Sequence, residues 1–287
     1  MKHPDDFRSK WDLVIQPRTR LVNVDLGAVW AYRDLAWTLF RRDFSTFYKQ
    51  TILGPIWYIL QPLLSSLIYL FVFGAIANIP TDGLPPFLFY LSGLVVWSYF
   101  STCFTNNSQV FSKNSALFGK VYFPRLVVPI SIAMSALVTF AIQFALLIAT
   151  TFVFQLLGAR VAFSFLAILL APIVVAYVAL LGIGVGLITS ALTIRFRDLA
   201  YVAGFAVQLW MYASPVVYPL SKVPSRFQWL FDINPMSAPI ELLRSLAFGT
   251  PIPPVVLILC NLGVTSALFL AGIILFSRAE STAMDTV

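Results

Sequence analysis

The sequence predicts an all-α integral membrane protein, with an N-terminal amphipathic interfacial helix, six transmembrane helices and two short re-entrant or gate helices between the fifth and the sixth. The first observation is composition, because 59% of the 287 residues are hydrophobic and only 11% are charged, whereas roughly a quarter of a soluble domain is charged. The second is that six long stretches contain no Asp, Glu, Lys or Arg. The third is a basic, amphipathic segment directly before the first of these stretches.

The first fifty residues are predicted to lie outside the membrane interior. Residues 1–25 mix both signs of charge with two prolines, which is typical of an irregular arm, here placed in the cytoplasm. Residues 26–50 are predicted to form a helix that lies in the membrane surface, because aromatic residues recur at three- and four-residue steps and basic residues fall mainly on other faces. The aromatic residues are Trp37, Phe40, Phe44 and Phe47.

Residues 51–278 are predicted to form the membrane domain, followed by a cytoplasmic tail at 279–287. Each uncharged stretch meets or exceeds the roughly 20 residues that a helix needs to cross the hydrocarbon core. This count predicts six spans, and the stretches cover residues 50–81, 83–112, 126–159, 161–194, 199–221 and 245–277.

The distribution of positive charge predicts that both termini are cytoplasmic, because basic residues concentrate in the loops after the second, fourth and sixth spans. Those residues are Lys113, Lys120, Arg125, Arg195, Arg197 and Arg278. The loop after the fifth span opposes this rule, although it is long and also contains acidic residues. Its basic residues are Lys222, Arg226 and Arg244.

This loop, at about 222–252, is predicted to form an outer gate. It is too apolar for a single surface loop, which indicates two short helices that dip back from the outer face. Phe227 and Trp229 are candidate gate residues, and Glu241 stands three residues before Arg244, so these two can pair. A small outer cap with a solvated ion pair explains the same pattern.

The sequence lacks the residues that most catalytic or ion-coupled mechanisms need. It has no phosphate-binding G-x-x-x-x-G-K-[ST] motif and no charged residue well inside the spans, so we expect the energy for any transport to come from another chain. No catalytic residues and no metal site are predicted, since the sole histidine is His3. Gly182, Gly184 and Gly186 are predicted to serve close helix packing rather than nucleotide binding.

Aromatic and neutral polar residues cluster in the first, second and fifth spans. They suit a sugar chain, which is polar without charge and has apolar C–H faces, but interfacial aromatic belts and interhelical hydrogen bonds explain any single one of them. The candidate substrate path comprises Trp57, Tyr58, Gln61, Tyr69, Trp97, Tyr99, Phe100, Phe104, Trp210 and Tyr212.

The loop after the second span has the pattern of a short amphipathic helix that is broken at Pro124. Such a helix would present Leu117 and Phe118 to a partner protein. A simple interfacial turn is the alternative.

At the span boundaries the sequence resembles the permease subunit of the ABC polysaccharide exporters, which move lipid-linked O-antigen, capsule or teichoic-acid chains. The resemblance rests on short motifs in a fixed order: Arg41-Arg42-Asp43, Tyr48-Lys49, Leu53-Gly54-Pro55, Gln61-Pro62, Lys120 with Phe123-Pro124-Arg125, Arg195-Phe196-Arg197-Asp198, Ser214-Pro215-Val216, Tyr218-Pro219, and Asn234-Pro235 followed by Glu241 and Arg244. It implies a non-catalytic homodimer in the bacterial inner membrane, with two separate ATPase subunits that bind ATP and Mg²⁺.

The resemblance also implies roles for particular residues. The ATPase-docking candidates are Arg33, Arg41, Asn114, Leu117, Phe118, Lys120 and Arg125. A substrate carried on a polyprenyl pyrophosphate would be attracted by basic residues at the cytoplasmic interface, although topological anchoring explains them equally well; these are Arg41, Arg42 and Lys49. The overall likeness of residues 41–64 favours O-antigen. A teichoic-acid or capsule exporter, a drug or small-lipid exporter, and an autonomous ion-coupled transporter are the alternatives.

Overall fold

The computed structural model describes residues 26–49, 56–118, 123–196 and 198–284. Within these ranges the chain is helical and contains no β-strand. Helices α1 (Leu26–Ala31) and α2 (Arg33–Lys49) form the predicted amphipathic segment, divided at Tyr32. Helix α2 packs against α7, and its residues Ala36 and Leu39 are buried, whereas Trp37 and Phe44 are exposed. The exposed Trp37 can therefore meet a membrane surface, whereas Phe44 also lines a cavity.

Five helical segments of the described chain are long and apolar enough to cross a membrane. The first consists of α3 and the π-helical stretch that continues it. The bounds are Ile56–Tyr69 for α3 and Leu70–Ile76 for the π-helix, Pro86–Ser108 for α4, Val127–Leu156 for α7, Phe165–Arg195 for α8, and Val255–Met284 for α12, whose apolar part ends at Ala279.

Shorter helices complete the described fold. Helices α5 (Val110–Lys113) and α6 (Ser115–Phe118) follow α4, and α9 (Leu199–Tyr212) follows α8. Two 3₁₀ turns then lead to the last pair before α12. The turns are Leu220–Lys222 and Ser225–Phe227, and the helices are α10 (Gln228–Ile233) and α11 (Ser237–Phe248).

The predicted count of six spans is not confirmed. Helix α9 has only 14 residues, about 21 Å at 1.5 Å per residue, and it ends at Tyr212 rather than continuing through the uncharged run 199–221. Pro215 and Pro219 stand just beyond it, and a proline both lacks an N–H and restricts the residue before it. The last run is also divided, because its first residues belong to α11 and the prolines at 251, 253 and 254 precede α12.

Helices α4 and α8 form the centre of the subunit. Helix α4 packs against α3, α7, α8, α9 and α11, and α8 packs against α4, α7, α9, α11 and α12. Most residues of α4 are therefore buried, while α3 and α12 present most of their surface to the outside of the subunit.

Three glycines on α8 allow α4 and α12 to pack closely against it, as predicted. A Cβ atom on Gly182 would lie 2.7 Å from Cys103 Cβ, and one on Gly186 would lie 2.5 Å from Asn107 Cβ, both on α4. A Cβ on Gly184 would lie 2.7 Å from the Cα atom of Phe269 on α12. These separations are too short for any larger residue without movement of the helices, so the three glycines serve close packing.

Candidate functional site

A cavity of about 810 Å³, here called the polar cavity, lies where α2, α3, α4 and α7 meet. Two cations, one carboxylate and several neutral hydrogen-bonding groups line it, together with apolar residues of α7. The lining residues are Arg42, Asp43, Phe44, Tyr58, Thr102, Asn106, Lys113, Asn114, Val128, Ile132, Ser135, Ala136, Val138 and Thr139.

The charged groups of the polar cavity leave it with one excess positive charge. Arg42 donates hydrogen bonds to Asp43 Oδ1 from Nε at 2.9 Å and from Nη2 at 2.7 Å. The ammonium group of Lys113 donates to Asn106 Oδ1 at 3.3 Å. Because a neutral amide does not balance the charge of Lys113, the cavity suits an anionic group with several oxygen acceptors.

The structure brings part of the predicted pyrophosphate set to this cavity. Arg42 lines it, but Arg41 lies outside it, exposed on α2, with its guanidinium carbon 5.8 Å from the centroid of the Trp37 ring. The side chain of Lys49 lies outside the described residues. Lys113 and Asn106 join Arg42 here, and the sequence did not assign them to a pyrophosphate site, because their proximity depends on how α2, α4 and α5 are arranged around α7.

The predicted docking residues lie in two parts of the chain, on α2 and in the segment that follows α4. Arg33 is exposed on α2, with its guanidinium carbon 6.0 Å from the centroid of the Trp30 ring. Asn114 donates from Nδ2 to the Val110 carbonyl at 3.0 Å and thereby closes the end of α5. Lys120 lies outside the described residues.

Phe118 is held inside the loop rather than presented as a free surface residue. Its ring centroid lies 5.9 Å from those of both Phe111 and Phe123, and the guanidinium carbon of the buried Arg125 lies 5.1 Å from it. Leu117, its neighbour on α6, is also half-buried. Phe118 and Arg125 therefore stabilise the loop itself.

The aromatic residues predicted on α4 lie in the core of the subunit. Trp97, Tyr99, Phe100 and Phe104 are all buried, and the Phe100 ring packs 5.0 Å from that of Trp210. The expectation that these four line a path is not met within one subunit, because five helices surround α4. Several of its neutral polar side chains bond to their own helix instead; Asn107, for example, donates to the Cys103 carbonyl at 2.8 Å.

The remaining candidates of the substrate path lie on α3 and α9, and several reach the outside of the subunit. Trp57 and Tyr212 are 46% and 51% exposed, and Gln61 is also exposed. Tyr58, Tyr69 and Trp210 are half-buried. The Tyr69 hydroxyl donates to the sulfur of Met211 at 3.4 Å, which joins α3 to α9.

Arg244 on α11 is almost fully buried, and five hydrogen bonds satisfy its guanidinium group. Nε donates to Ser92 Oγ, Nη1 to the Pro215 carbonyl and to Glu241 Oε1, and Nη2 to two further carbonyls. The further carbonyls belong to Phe89 and Val216. Arg244 therefore fastens α11 to α4 and to the turn that follows α9.

The predicted pair of Glu241 and Arg244 is confirmed, with 2.9 Å between Oε1 and Nη1. The pair is not the solvated one of the alternative interpretation, since the Arg244 side chain is only 1% exposed. Burial raises the pKa of Glu241 above its ordinary value and lowers that of Arg244, and the contact between the two opposes both changes.

Asn234 holds the connection between α10 and α11. Its Nδ2 donates to the Ala213 carbonyl and to Ser214 Oγ. Its Oδ1 accepts from Trp210 Nε1 at 2.9 Å and from the Met236 N–H at 3.1 Å. The motif Asn234-Pro235 marked this position in the sequence, but the bonds to α9 depend on tertiary packing.

Helices α12 and α8 also bond to the segment that contains α10 and α11. Asn261 donates from Nδ2 to the Asp232 carbonyl at 2.6 Å and accepts at Oδ1 from the Ala238 N–H. The Tyr177 hydroxyl of α8 donates to the Pro235 carbonyl at 2.8 Å. Sequence reasoning missed Asn261 and Tyr177, because an isolated polar residue in a span has no local signal of its partner.

Phe227 and Trp229 are exposed beside this network, where they line an apolar groove. In the part of the chain that the structure describes, no three His, Cys, Asp or Glu side chains come together as a metal site would require.

Membrane-length helices around a buried central helix, with a polar cavity between four helices, define a multi-pass membrane protein. The sequence model of the ABC-2 type transporter family matches residues 34–248, and the chain belongs to this family. It is thus the membrane-spanning permease of an ABC transporter, a class that works with a separate ATP-binding subunit.

Characterised relatives extend the match along most of the chain. The O-antigen export system permease protein RfbA of Klebsiella pneumoniae is 30% identical over 213 residues, which cover 74% of this chain and 80% of the relative. RfbA of Myxococcus xanthus is 26% identical over 258 residues, 89% and 96% of the two chains. The polysialic acid transport protein KpsM of Escherichia coli is 28% identical over 209 residues, 72% and 78%.

Proposed function

We propose that this chain is the channel-forming permease of an ATP-driven exporter that moves lipid-linked polysaccharide, specifically O-antigen, across the bacterial inner membrane. The observation that carries the proposal is the match to O-antigen permeases, which reaches 89% of this chain and 96% of the Myxococcus protein. Capsule export is the second candidate, because the similarity to KpsM also covers most of both chains.

The proposed assembly contains two copies of this chain and two ATP-binding subunits. ATP and Mg²⁺ would bind to those partners, and this chain would contribute no catalytic group. Helix α9, together with the turn that follows it, would complete a sixth crossing, α10 and α11 would dip back from the outer face, and both termini would be cytoplasmic. In this orientation the polar cavity opens toward the cytoplasm, where the substrate is supplied.

The polar cavity would bind the pyrophosphate of the lipid carrier. Arg42 and Lys113 supply cationic donors at its wall, and Tyr58 and Asn106 supply neutral ones. Charge-assisted hydrogen bonds from such donors suit phosphate oxygens. Arg41 and Lys49 would raise the local potential along the adjacent surface.

The exposed faces of α3 and α9 would line the path for the sugar chain. Tyr201, Phe205, Gln208 and Tyr212 follow one another at steps of four, three and four residues, so they share one face of α9, and all four are exposed. Trp57 and Gln61 stand four residues apart on α3 in the same way. Aromatic faces and amide groups supply both apolar and hydrogen-bonding contacts to a neutral glycan, and two such surfaces in a homodimer would enclose it.

The cytoplasmic ends would couple this path to ATP. Helices α1 and α2 and the loop at 114–125 would rest on the ATP-binding subunits, so that closure of those subunits on ATP pushes the interfacial helix. Because α2 packs on α7, a push on α2 would reach the bundle and widen the channel, and hydrolysis would reset it.

A reconstitution experiment tests the proposal. The chain is co-expressed with its neighbouring genes, purified in mild detergent and inserted into vesicles with lipid-linked O-antigen. We expect an ATP-binding subunit in equal amount and ATP-dependent translocation of the glycan. A matched trial with lipid-linked capsule polysaccharide separates the second candidate, and transport by this chain alone, or ATPase stimulation by small hydrophobic compounds without glycan transport, would contradict both.

A further inference from the structure

An apolar groove of about 820 Å³ lies between the end of α9, the two 3₁₀ turns, α10 and α12. Its walls are aliphatic, aromatic and proline side chains, with one charged residue and no acidic one. The lining residues are Ile79, Pro80, Trp210, Ala213, Tyr218, Lys222, Val223, Pro224, Phe227, Trp229, Leu230, Phe231, Ile233, Asn234, Pro235 and Val264.

The neutral polar groups of the groove are already bonded within the protein. Trp210 Nε1 donates to Asn234 Oδ1 at 2.9 Å, Asn234 donates from Nδ2 to the Ala213 carbonyl, and the Tyr218 hydroxyl donates to the Tyr212 carbonyl at 2.8 Å. The ammonium group of Lys222, in contrast, makes no hydrogen bond to the residues that the structure describes. The groove is therefore an apolar surface with a single ammonium group on it.

Two cations at this end of the molecule have no structural partner comparable to those of Arg244. Lys222 is exposed, and the exposed Arg226 has its guanidinium carbon 4.6 Å from the centroid of Phe227, a lining residue. Both oppose the charge distribution expected for a loop after the fifth span. Arg244, the third basic residue of that loop, is accounted for by its buried network.

We propose that this groove binds an anionic membrane phospholipid, with an acyl chain along the apolar wall and the headgroup phosphate on Lys222. The volume falls in the range of about 300–1,000 Å³ that is typical of small-molecule sites. A lysine at the edge of an apolar surface places its ammonium group at the level of lipid phosphates. Arg226 adds a second positive charge beside the same headgroup.

Charge favours a lipid over a second copy of this chain as the occupant. An isologous contact would bring the same patch from two subunits together, so both sets of cations would enter one interface. The groove walls contain no carboxylate, and the Asp82 carboxylate next to them accepts a hydrogen bond from Ser221 Oγ at 2.8 Å. One such carboxylate does not balance the two cations, Lys222 and Arg226, of each copy, whereas a lipid phosphate adds the missing negative charge. The inference requires membrane insertion only and does not depend on which molecule the transporter exports.

Photolabelling tests this site directly. The full-length chain with its ATP-binding partner is placed in phosphatidylcholine vesicles that contain a small fraction of phosphatidylglycerol with a photoactivatable acyl chain. After irradiation, mass spectrometry locates the label. We expect it on the peptide that contains residues 223–235, and Lys222→Glu should lower labelling there by roughly fivefold or more, since one cation near an anionic lipid contributes about 1 kcal/mol.

Two further variants make the test decisive. Arg160→Glu makes the same charge change in an exposed residue at the same end of the bundle, where the backbone bond from Ser164 N–H to the Ala247 carbonyl anchors its loop beside α11; it should leave labelling of the peptide unchanged. Ala213→Trp fills the groove and should abolish labelling without a charge change. Equal labelling of wild type, Lys222→Glu and Ala213→Trp, or cross-links from the groove peptide to a second copy of this chain, would overturn the proposal.

Discussion

The guanidinium carbon of Arg244 lies 3.7 Å from the centroid of the Phe89 ring, so a charged group on a short helix stacks on the central helix of the bundle. The stack leaves no room beside it, because a Cβ atom on Gly93 would lie 2.8 Å from Arg244 Nη2. Arg244 also bonds to the carbonyls of Pro215 and Val216. Helices α4 and α11 and the turn after α9 are therefore joined by one side chain.

Arg244→Lys should lower the free energy of unfolding by about 2 kcal/mol, because a lysine has a single ammonium group and cannot reproduce five bonds in a planar array, each worth about 0.6 kcal/mol between membrane helices. Unfolding in mixed detergent and sodium dodecyl sulfate measures the change. Arg226→Lys is the matched control, since Arg226 is exposed. If Arg244→Lys unfolds at the wild-type detergent fraction, the network does not stabilise the fold.

Gly184→Ala should destabilise the bundle by about 1–3 kcal/mol, the usual effect of added volume in a tightly packed core. The new methyl group would meet the backbone of Phe269, which cannot move as a side chain can. Gly263→Ala is the control within α12, because nothing lies within 4 Å of its Cβ position. It should be neutral or slightly stabilising. Equal unfolding free energies for the two variants would contradict the role of Gly184.

The fold class was predictable from sequence wherever an uncharged run coincides with one helix. Runs at 126–159 and 161–194 fold as α7 and α8. The run 199–221 does not fold as one helix. The absence of charge allows a segment to lie in the membrane, but Pro215 and Pro219 prevent the helix from continuing to the end of the run. A count of uncharged runs does not take account of prolines that end a helix.

The candidate site was less predictable, because the same residues serve packing and function. Phe100 and Trp210 are as aromatic as Trp57, yet they stack on each other in the core, while Trp57 faces outward. Residue type makes all three of them candidates for the substrate path. Which of them are buried depends on the helices that pack around each one. Lys113 is the converse case, since its place in the polar cavity follows from how α2 and the end of α5 are arranged beside α7.

Leu117→Glu tests the docking surface more cleanly than a change of Phe118. We expect a substantial loss of the co-purified ATP-binding subunit and a smaller loss of stability than Phe118→Glu causes, since Leu117 is half-buried against the core but makes none of the ring contacts that join Phe111, Phe118 and Phe123. Phe118→Glu should lower stability as well, because it removes those contacts and the stack with Arg125. Pull-down and unfolding assays on both variants separate the two effects. Full retention of the partner by Leu117→Glu would place the contact elsewhere.

Lys113→Glu tests the polar cavity as an anion site. With geranylgeranyl pyrophosphate as the probe, titrated calorimetrically into the detergent-purified complex, we expect binding to weaken by at least about tenfold, because a hydrogen bond to a charged group contributes about 1.5–3 kcal/mol. Arg195→Glu is the control, since Arg195 is exposed outside the cavity. Wild-type binding should also fall with added salt, which screens the exposed part of the site. If Lys113→Glu and Arg195→Glu bind the probe equally well, the pyrophosphate site lies elsewhere and the positive charge of the cavity serves only to orient the chain in the membrane.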